Sequence, residues 1–169
     1  MNVLSLFDGM SCGQIALERA GIKVDKYFAS EIKKDGIKVT MANYPNTIQL
    51  GDVCNVEYEN GVLHSDNGDF EVEIDLLIGG SPCQDFSIAN SERKGLDGVK
   101  SGLFYQYLRL KEEVSPAYFL LENVAMEQSS YNTISRLMGT HPVDINSERV
   151  SAQLRQRSYW TNIGAEDFD

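Results

Sequence analysis

Cys83 stands in Gly79-Gly80-Ser81-Pro82-Cys83-Gln84-Asp85, directly after the largely apolar run Ile74–Ile78. A thiol is the strongest nucleophile among the common side chains once it ionises, and covalent catalysis is its characteristic use. Pro82 fixes its own φ and pushes Ser81 into an extended conformation, which aims the next side chain. The two glycines let the backbone approach a ligand closely. Without that setting Cys83 would read as one more small buried hydrophobe. Two further groups could act on the same substrate. Glu122-Asn123-Val124 follows the apolar run Tyr118-Phe119-Leu120-Leu121. A carboxyl group emerging from such a strand is partly withdrawn from water, which suits a proton donor, whereas the plainer role is a cap on the next helix. In Gln153-Leu154-Arg155-Gln156-Arg157 the arginines are two residues apart, so an extended backbone points both the same way. They could grip a phosphate or a base oxygen, or decorate a surface strand.

These groups converge only if strands and helices alternate. Val3–Phe7 reads as a first strand, Asp8-Gly9-Met10-Ser11-Cys12-Gly13 as a tight loop, and Gln14–Ala20 as a helix stopped by Gly21. Lys26–Ser30 is a second strand and Lys33–Asn43 a helix despite Gly36, with Pro45 beyond its end. Thr47–Leu50 and the β-branched run Ile74–Ile78 are further strands. Helical spacing of Phe104, Tyr107, Leu108 and Lys111 predicts a helix over Gly102–Glu113, before a strand at Tyr118–Leu121. Asn132–Met138 belongs to another helix, and Val143–Asn146 and Tyr159–Ile163 are late strands. This alternation predicts an α/β fold, a mostly parallel sheet with helices on both faces. Right-handed crossovers then bring Asp8–Gly13, Glu31, Asp52, Cys83 and Glu122 to one edge of the sheet, where open α/β sheets bind ligands.

The spacing Gly9 to Gly13 is not that of a dinucleotide fingerprint, so a pyrophosphate is not the expected ligand. Glu31, ending the second strand, suits ribose hydroxyls. Asp52 could accept from an adenine amino group, and is equally at home as a helix cap or turn residue. Together these positions describe an adenosine-containing ligand without a phosphate cradle, for which S-adenosylmethionine is the natural candidate.

The chain of 169 residues is long enough for one domain with a real core. No apolar stretch approaches membrane-spanning length, so no membrane partner is expected. Met1–Leu6 lacks a basic region and reads as a strand instead of a signal peptide. Cysteines at 12, 54 and 83 form no disulfide framework, and they and the two histidines have no metal-ligand spacing; a reducing cytoplasm is the expected compartment. The net charge of −10 counts against nucleic acid as a partner. Yet Asp52–Asp75 holds eight acids and no Lys or Arg, so the rest of the chain carries only −2. That acidic segment reads as a solvated surface excursion, leaving Arg93, Lys94, Lys100, Arg149, Arg155 and Arg157 free to cluster elsewhere.

Taken in order, Phe7-Asp8-Gly9-x-x-x-Gly13, Ser30-Glu31, Gly51-Asp52-Val53, Gly80-Ser81-Pro82-Cys83, Glu122-Asn123-Val124 and Gln153-x-Arg155-x-Arg157 resemble the DNA cytosine-5 methyltransferases. Asp85-Phe86-Ser87-Ile88, Arg93-Lys94-Gly95-Leu96 and Val150-Ser151-Ala152 resemble most the animal de novo branch. The resemblance implies the Rossmann-like S-adenosylmethionine-dependent methyltransferase fold, with Phe7, Asp8, Gly9, Met10, Ser11, Cys12, Gly13, Glu31, Ile32, Asp52, Val53 and Pro82 around the cofactor. It makes Cys83 the nucleophile that adds to carbon 6 of cytosine, and Glu122 the acid that protonates ring nitrogen 3. Arg157, helped by Arg155, holds the exocyclic oxygen or a flanking phosphate. The target base must leave the duplex stack, and Ser87–Ser101 would close over it, with Ser87, Arg93, Lys94 and Lys100 on DNA.

Members of this family continue with a target-recognition region and a late helix that completes the cofactor pocket. Here Tyr159–Gly164 is followed only by Ala165-Glu166-Asp167-Phe168-Asp169. The expectation is one catalytic domain over 1–169 with no separate recognition domain, aided by a second polypeptide or a second copy of the chain. An RNA cytosine methyltransferase of the same fold, or a non-catalytic fragment that binds cofactor or a partner, are the competing readings.

Overall fold

The computed structural model describes residues 1–82, 102–124, 126, 128–149 and 152–164. Cys83, Ser87, Arg93, Lys94 and Lys100, and the loop expected over Ser87–Ser101, lie outside the described residues.

The chain runs β1 (Asn2–Leu6), α1 (Cys12–Arg19), β2 (Lys26–Ser30), α2 (Lys34–Asn43) and β3 (Ile48–Gly51), then a short turn of helix at Val53–Asn55. Next come β4 (Glu57–Glu59), β5 (Val62–Ser65), β6 (Gly68–Glu71) and β7 (Leu76–Gly79). The remainder is α3 (Leu103–Val114), β8 (Tyr118–Val124), α4 (Gln128–Met138), β9 (Val143–Asn146) and β10 (Gln156–Thr161). Seven strands form one sheet in the order β3-β2-β1-β7-β8-β10-β9. The first five positions are parallel, and β10 runs antiparallel to both β8 and β9. The chain moves outward from β1 through β2 to β3, then restarts at β7 on the other side of β1. The topological switch point, where such sheets open a ligand crevice, therefore lies between β1 and β7.

Alternating side chains divide the core between the two faces. On one, Val3, Tyr27, Ala29 and Leu76 pack with Leu17 of α1. On the other, Leu4, Leu6, Phe28, Leu77 and Trp160 pack with Phe104, Tyr107 and Leu110 of α3 and Ile134 and Met138 of α4. The expected α/β architecture with helices on both faces is thus observed.

Two expectations change. The acidic segment is not only a solvated excursion: β4, β5 and β6 form a separate antiparallel sheet. Its acids are mostly exposed, but Leu63 and Val72 are buried, and Phe70 packs edge-on against Phe28 with ring centroids 5.4 Å apart. Apolar residues at alternate positions give this meander one face for the core. The strand expected to stop at Leu121 continues to Val124, because β10 pairs with it as far as Arg157↔Val124.

Candidate active site

The loop after β1 is built from inside. Asp8 accepts hydrogen bonds from the hydroxyls of Ser5 (2.6 Å) and Tyr27 (2.8 Å), and from that of Ser11. Its carboxylate is thereby engaged with the scaffold of the loop. Burial first, and then the charge of Asp8, push the Tyr27 phenol far above its ordinary value, so it stays a donor. Phe7, Gly9 and Ser11 all adopt left-handed backbone, at φ of 57°, 61° and 60°. For glycine this costs little. For a residue as bulky as phenylalanine it is strained, and such strain concentrates at functional loops. Gly36 explains itself here, since a Cβ on it would lie 2.4 Å from the Gly9 carbonyl oxygen. The loop sits directly on the first turns of α2.

Glu31 ties that loop to the end of β2. One carboxylate oxygen, Oε2, accepts from Gly9 N–H (2.7 Å), and Oε1 accepts from Ile32 and Lys33 N–H (2.9 and 2.8 Å). Three of about four acceptor positions are occupied, so one remains for a ligand hydroxyl. Met10 on the loop is 58% exposed, and Ile32 beside Glu31 in the chain is 67% exposed. Asp52 takes the plainer of its two readings, capping the Val53–Asn55 turn by accepting from Cys54 N–H (3.0 Å). Val53, next to it, is buried in the core. The acidic meander has a function that its composition concealed. Asp66 accepts from Asp52 N–H and from the Asn55 amide, bracing the corner that carries Asp52. Gly13 closes the loop, and a Cβ there would collide with Ile78 and the Tyr27 hydroxyl. Cys12 begins α1 and is exposed.

The second cluster lies at the ends of β7 and β8. Alternation along β8 sends Glu122 and Asn123 to opposite faces. Glu122 packs over Gly80, where a Cβ would lie 2.8 Å from Oε2. Arg157 Nε is 2.7 Å from Glu122 Oε1, and Arg155 Nη2 is 4.0 Å from the same oxygen. The Arg157 Nε–H is not directed at that oxygen, so the contact is an ion pair without a well-formed hydrogen bond. Burial, and next the charge of Glu122, raise the phenol of neighbouring Tyr159. On the other face Asn123, almost fully buried, reaches the carbonyl and hydroxyl of Ser81, both at 3.4 Å. Ser81 is buried and Pro82 exposed, so the chain emerges from the sheet there, one residue before Cys83. The two glycines serve packing more than ligand approach. Gly79 leaves space for Tyr107 and the Leu6 carbonyl, and Gly80 leaves it for Glu122.

The structure therefore brings together Asp8, Gly9, Ser11 and Glu31 in one group, and Glu122, Arg155 and Arg157 in another. Sequence reasoning gave no role to Asn123, Tyr27 or Gly36 and none beyond extended backbone to Ser81. The Asn123 signal was its place beside Glu122 at the end of an apolar run. Among the described residues no three His, Cys, Asp or Glu are grouped to hold a metal ion, and no helix is long and apolar enough to cross a membrane.

Known proteins are similar to this chain in sequence and fold. The family model for C-5 cytosine-specific DNA methylases matches residues 1–139. The orphan methyltransferase M.Rho11sI of Bacillus phage rho11s is 36% identical over 126 residues, 73% of this chain and 23% of that protein. The type II methyltransferase M.NgoPII of Neisseria gonorrhoeae is 35% identical over 126 residues, 74% of this chain and 33% of that protein. A solved structure from E. coli, assigned as a DNA modification methyltransferase encoded within a prophage, superposes with a TM-score of 0.68 at 25% identity. It covers 95% of this chain and 46% of its own. The chain thus spans between about a quarter and a third of the length of these curated relatives. With the family match running from β1 through α4, over the loop at Gly9, Glu31, the Ser81-Pro82 exit and Glu122, the chain belongs to the C-5 cytosine-specific DNA methylase family.

Proposed function

We propose that this chain carries the cofactor-binding and catalytic part of a DNA cytosine-5 methyltransferase that works through a covalent adduct on Cys83. The observation that carries the proposal is the pairing at the end of β8. Glu122, held between Gly80 and Arg157, and Asn123, holding Ser81, flank the point from which the chain leads into Cys83.

The crevice fits S-adenosylmethionine by its chemistry. Glu31 keeps an acceptor position for a ribose hydroxyl, Met10 and Ile32 offer apolar contact to a purine, and Gly9 leaves open space where a side chain would stand. When bound, the cofactor supplies an electrophilic methyl group on a sulfonium sulfur. Addition of the Cys83 thiolate to carbon 6 of cytosine turns carbon 5 from a poor nucleophile into an enamine-like one. Glu122 donates a proton at ring nitrogen 3 and removes the charge that this addition builds. For that it must exchange its ion pair with Arg157 for the base, and Arg157 is then free to hold the exocyclic oxygen. Once carbon 5 carries the methyl group, removal of the carbon 5 proton by a base expels the thiolate, and ring nitrogen 3 returns its proton to the Glu122 carboxylate, which restores the neutral ring.

The relatives' naming as type II and orphan methyltransferases supports DNA as the substrate and modification of DNA inside a cell, in a restriction–modification or phage setting. A second polypeptide or a second copy of this chain would add to target recognition and to the closure of the pocket. The affinity to the animal de novo branch rests on motifs at 85–96 and 150–152, nearly all outside the described residues.

The test is trapping. DNA and RNA containing 5-fluorocytosine are incubated with the chain and S-adenosylmethionine, since fluorine cannot leave as a proton. A denaturation-resistant adduct on DNA is expected, retained in Cys12→Ser and Cys54→Ser, lost in Cys83→Ser, and formed about 100-fold more slowly in Glu122→Gln. An adduct that survives Cys83→Ser, or one formed on RNA alone, overturns the proposal.

A further inference from the structure

A second recess lies beside the Glu122–Arg157 pair and on the α4 side of the sheet. It has a volume of about 430 Å³, room for one nucleotide, and is lined by Gln128, Tyr131, Asp144, Asn146, Gln156 and Arg157, among others. Its floor is already organised. Asp144 accepts from the Ser158 hydroxyl at 2.6 Å and from the Tyr131 hydroxyl at 3.2 Å. Gln128 donates to Asn132 at 2.9 Å along α4. Asn146 uses its carbonyl oxygen for the backbone N–H groups of Glu148 and Arg155, both at 3.3 Å. That leaves the Asn146 amino group, and the whole side-chain amide of Gln156, without a hydrogen-bond partner among the described residues.

The chemistry of this lining selects its occupant. The single cation, Arg157, is offset by Asp144 in the same wall, so the recess has no net charge with which to hold a phosphate. Free amides beside an aromatic ring and the thioether of Met126 suit a flat, uncharged heterocycle with donors and acceptors on its edge. Asn and Gln amides match the donor–acceptor pairs of base edges, and aromatic rings match their faces. Arg157 belongs both to the lining of this recess and to the pair at Glu122, so an occupant here lies across β10 from the proposed acid.

We propose that this recess reads a nucleobase flanking the target cytosine, so that this chain contributes sequence preference of its own through Gln156 and Asn146. The inference rests on the methyltransferase reading above. Its test uses the same trap with a DNA pool in which the positions around 5-fluorocytosine are randomised, and the trapped strands are sequenced. The wild type is expected to favour one base at one neighbouring position by about 5-fold or more. Gln156→Ala flattens that preference while adduct still forms. Asn146→Asp keeps the oxygen that serves Glu148 and Arg155 but turns the free donor into an acceptor, and shifts the preferred base. Adducts with no flanking preference, or a preference identical in both variants, overturn this inference and leave the Cys83 chemistry standing. Absence of adduct from every pool overturns both.

Discussion

Gly36→Ala separates the usual behaviour of helices from the demand made by this site. In an open helix the exchange gains about 1 kcal/mol, because alanine loses less backbone freedom. Here the added Cβ would lie 2.4 Å from the Gly9 carbonyl oxygen and 3.0 Å from its carbon, about 1 Å inside an ordinary contact. The obstacle is backbone, which cannot rotate aside like a long side chain. Overpacking of this kind costs about 1–3 kcal/mol. The net expectation is destabilisation by about 0–2 kcal/mol, or a fall of about 2–4 °C in Tm for each kcal/mol in a chain of this size. The larger effect falls on ligand binding. Moving Gly9 by about 1 Å breaks its 2.7 Å bond to Glu31, a charged hydrogen bond worth about 1.5–3 kcal/mol. With Glu31 and the loop displaced, S-adenosylmethionine affinity should fall as well, by about 10-fold or more where a charged hydrogen bond from Glu31 to the ligand is lost. Thermal unfolding and titration calorimetry on the same preparations decide the matter. A raised Tm with unchanged affinity would refute the reasoning, because it would mean that the loop does not rest on α2.

Three further outcomes follow from particular contacts. Glu31→Ala should weaken S-adenosylmethionine by about 1–3 kcal/mol, and calorimetry giving the wild-type affinity would remove Glu31 from the site. Asn123→Ala should lower stability by about 1–3 kcal/mol and slow adduct formation at Cys83 beyond what unfolding explains. Equal adduct rates in the folded variant would deny Asn123 any positioning role. Burial holds the phenols of Tyr27 and Tyr107 protonated far above the ordinary tyrosine value. The unfolded chain releases those protons from about pH 10, so the native state then binds more protons and stability falls as pH rises beyond that point. Tyr27→Phe should flatten this alkaline loss in urea titrations between about pH 9 and 11, and an unchanged slope would contradict the assignment.

What the sequence disclosed was whatever depends on neighbours along the chain. Lys26–Ser30 and Val143–Asn146 have the observed bounds, because runs and breakers define them locally. The acidic meander escaped because exposed acids mask the alternating Tyr58, Leu63, Phe70 and Val72, whose burial depends on β2 and α3 lying above them. Glu31 was found by its position at a strand end, but of its three amide partners only Ile32 and Lys33 follow it in the chain, while Gly9 comes from the loop after β1. Asp8 was found as part of a motif, yet its hydroxyl partners include Tyr27, from a different strand.

The pair Glu122-Asn123 shows why motif and geometry must be read together. Both residues stand in β8, and a strand gives neighbours opposite faces. One therefore meets Gly80 and Arg157 while the other meets Ser81. Their division of labour depends on strand register, which β10 sets through Tyr159↔Glu122 and Arg157↔Val124. A slip of one residue in that pairing would turn Arg157 to the face of Asn123 and away from Glu122, whose own facing is held by the pairing of β8 with β7. The register with β10 thus decides that an arginine meets Glu122. For this reason the Arg155–Arg157 segment cannot be treated as a surface strand that happens to be basic. Its antiparallel pairing with β8 both completes the sheet and carries a cation to the only carboxylate at that end of β8 among the described residues.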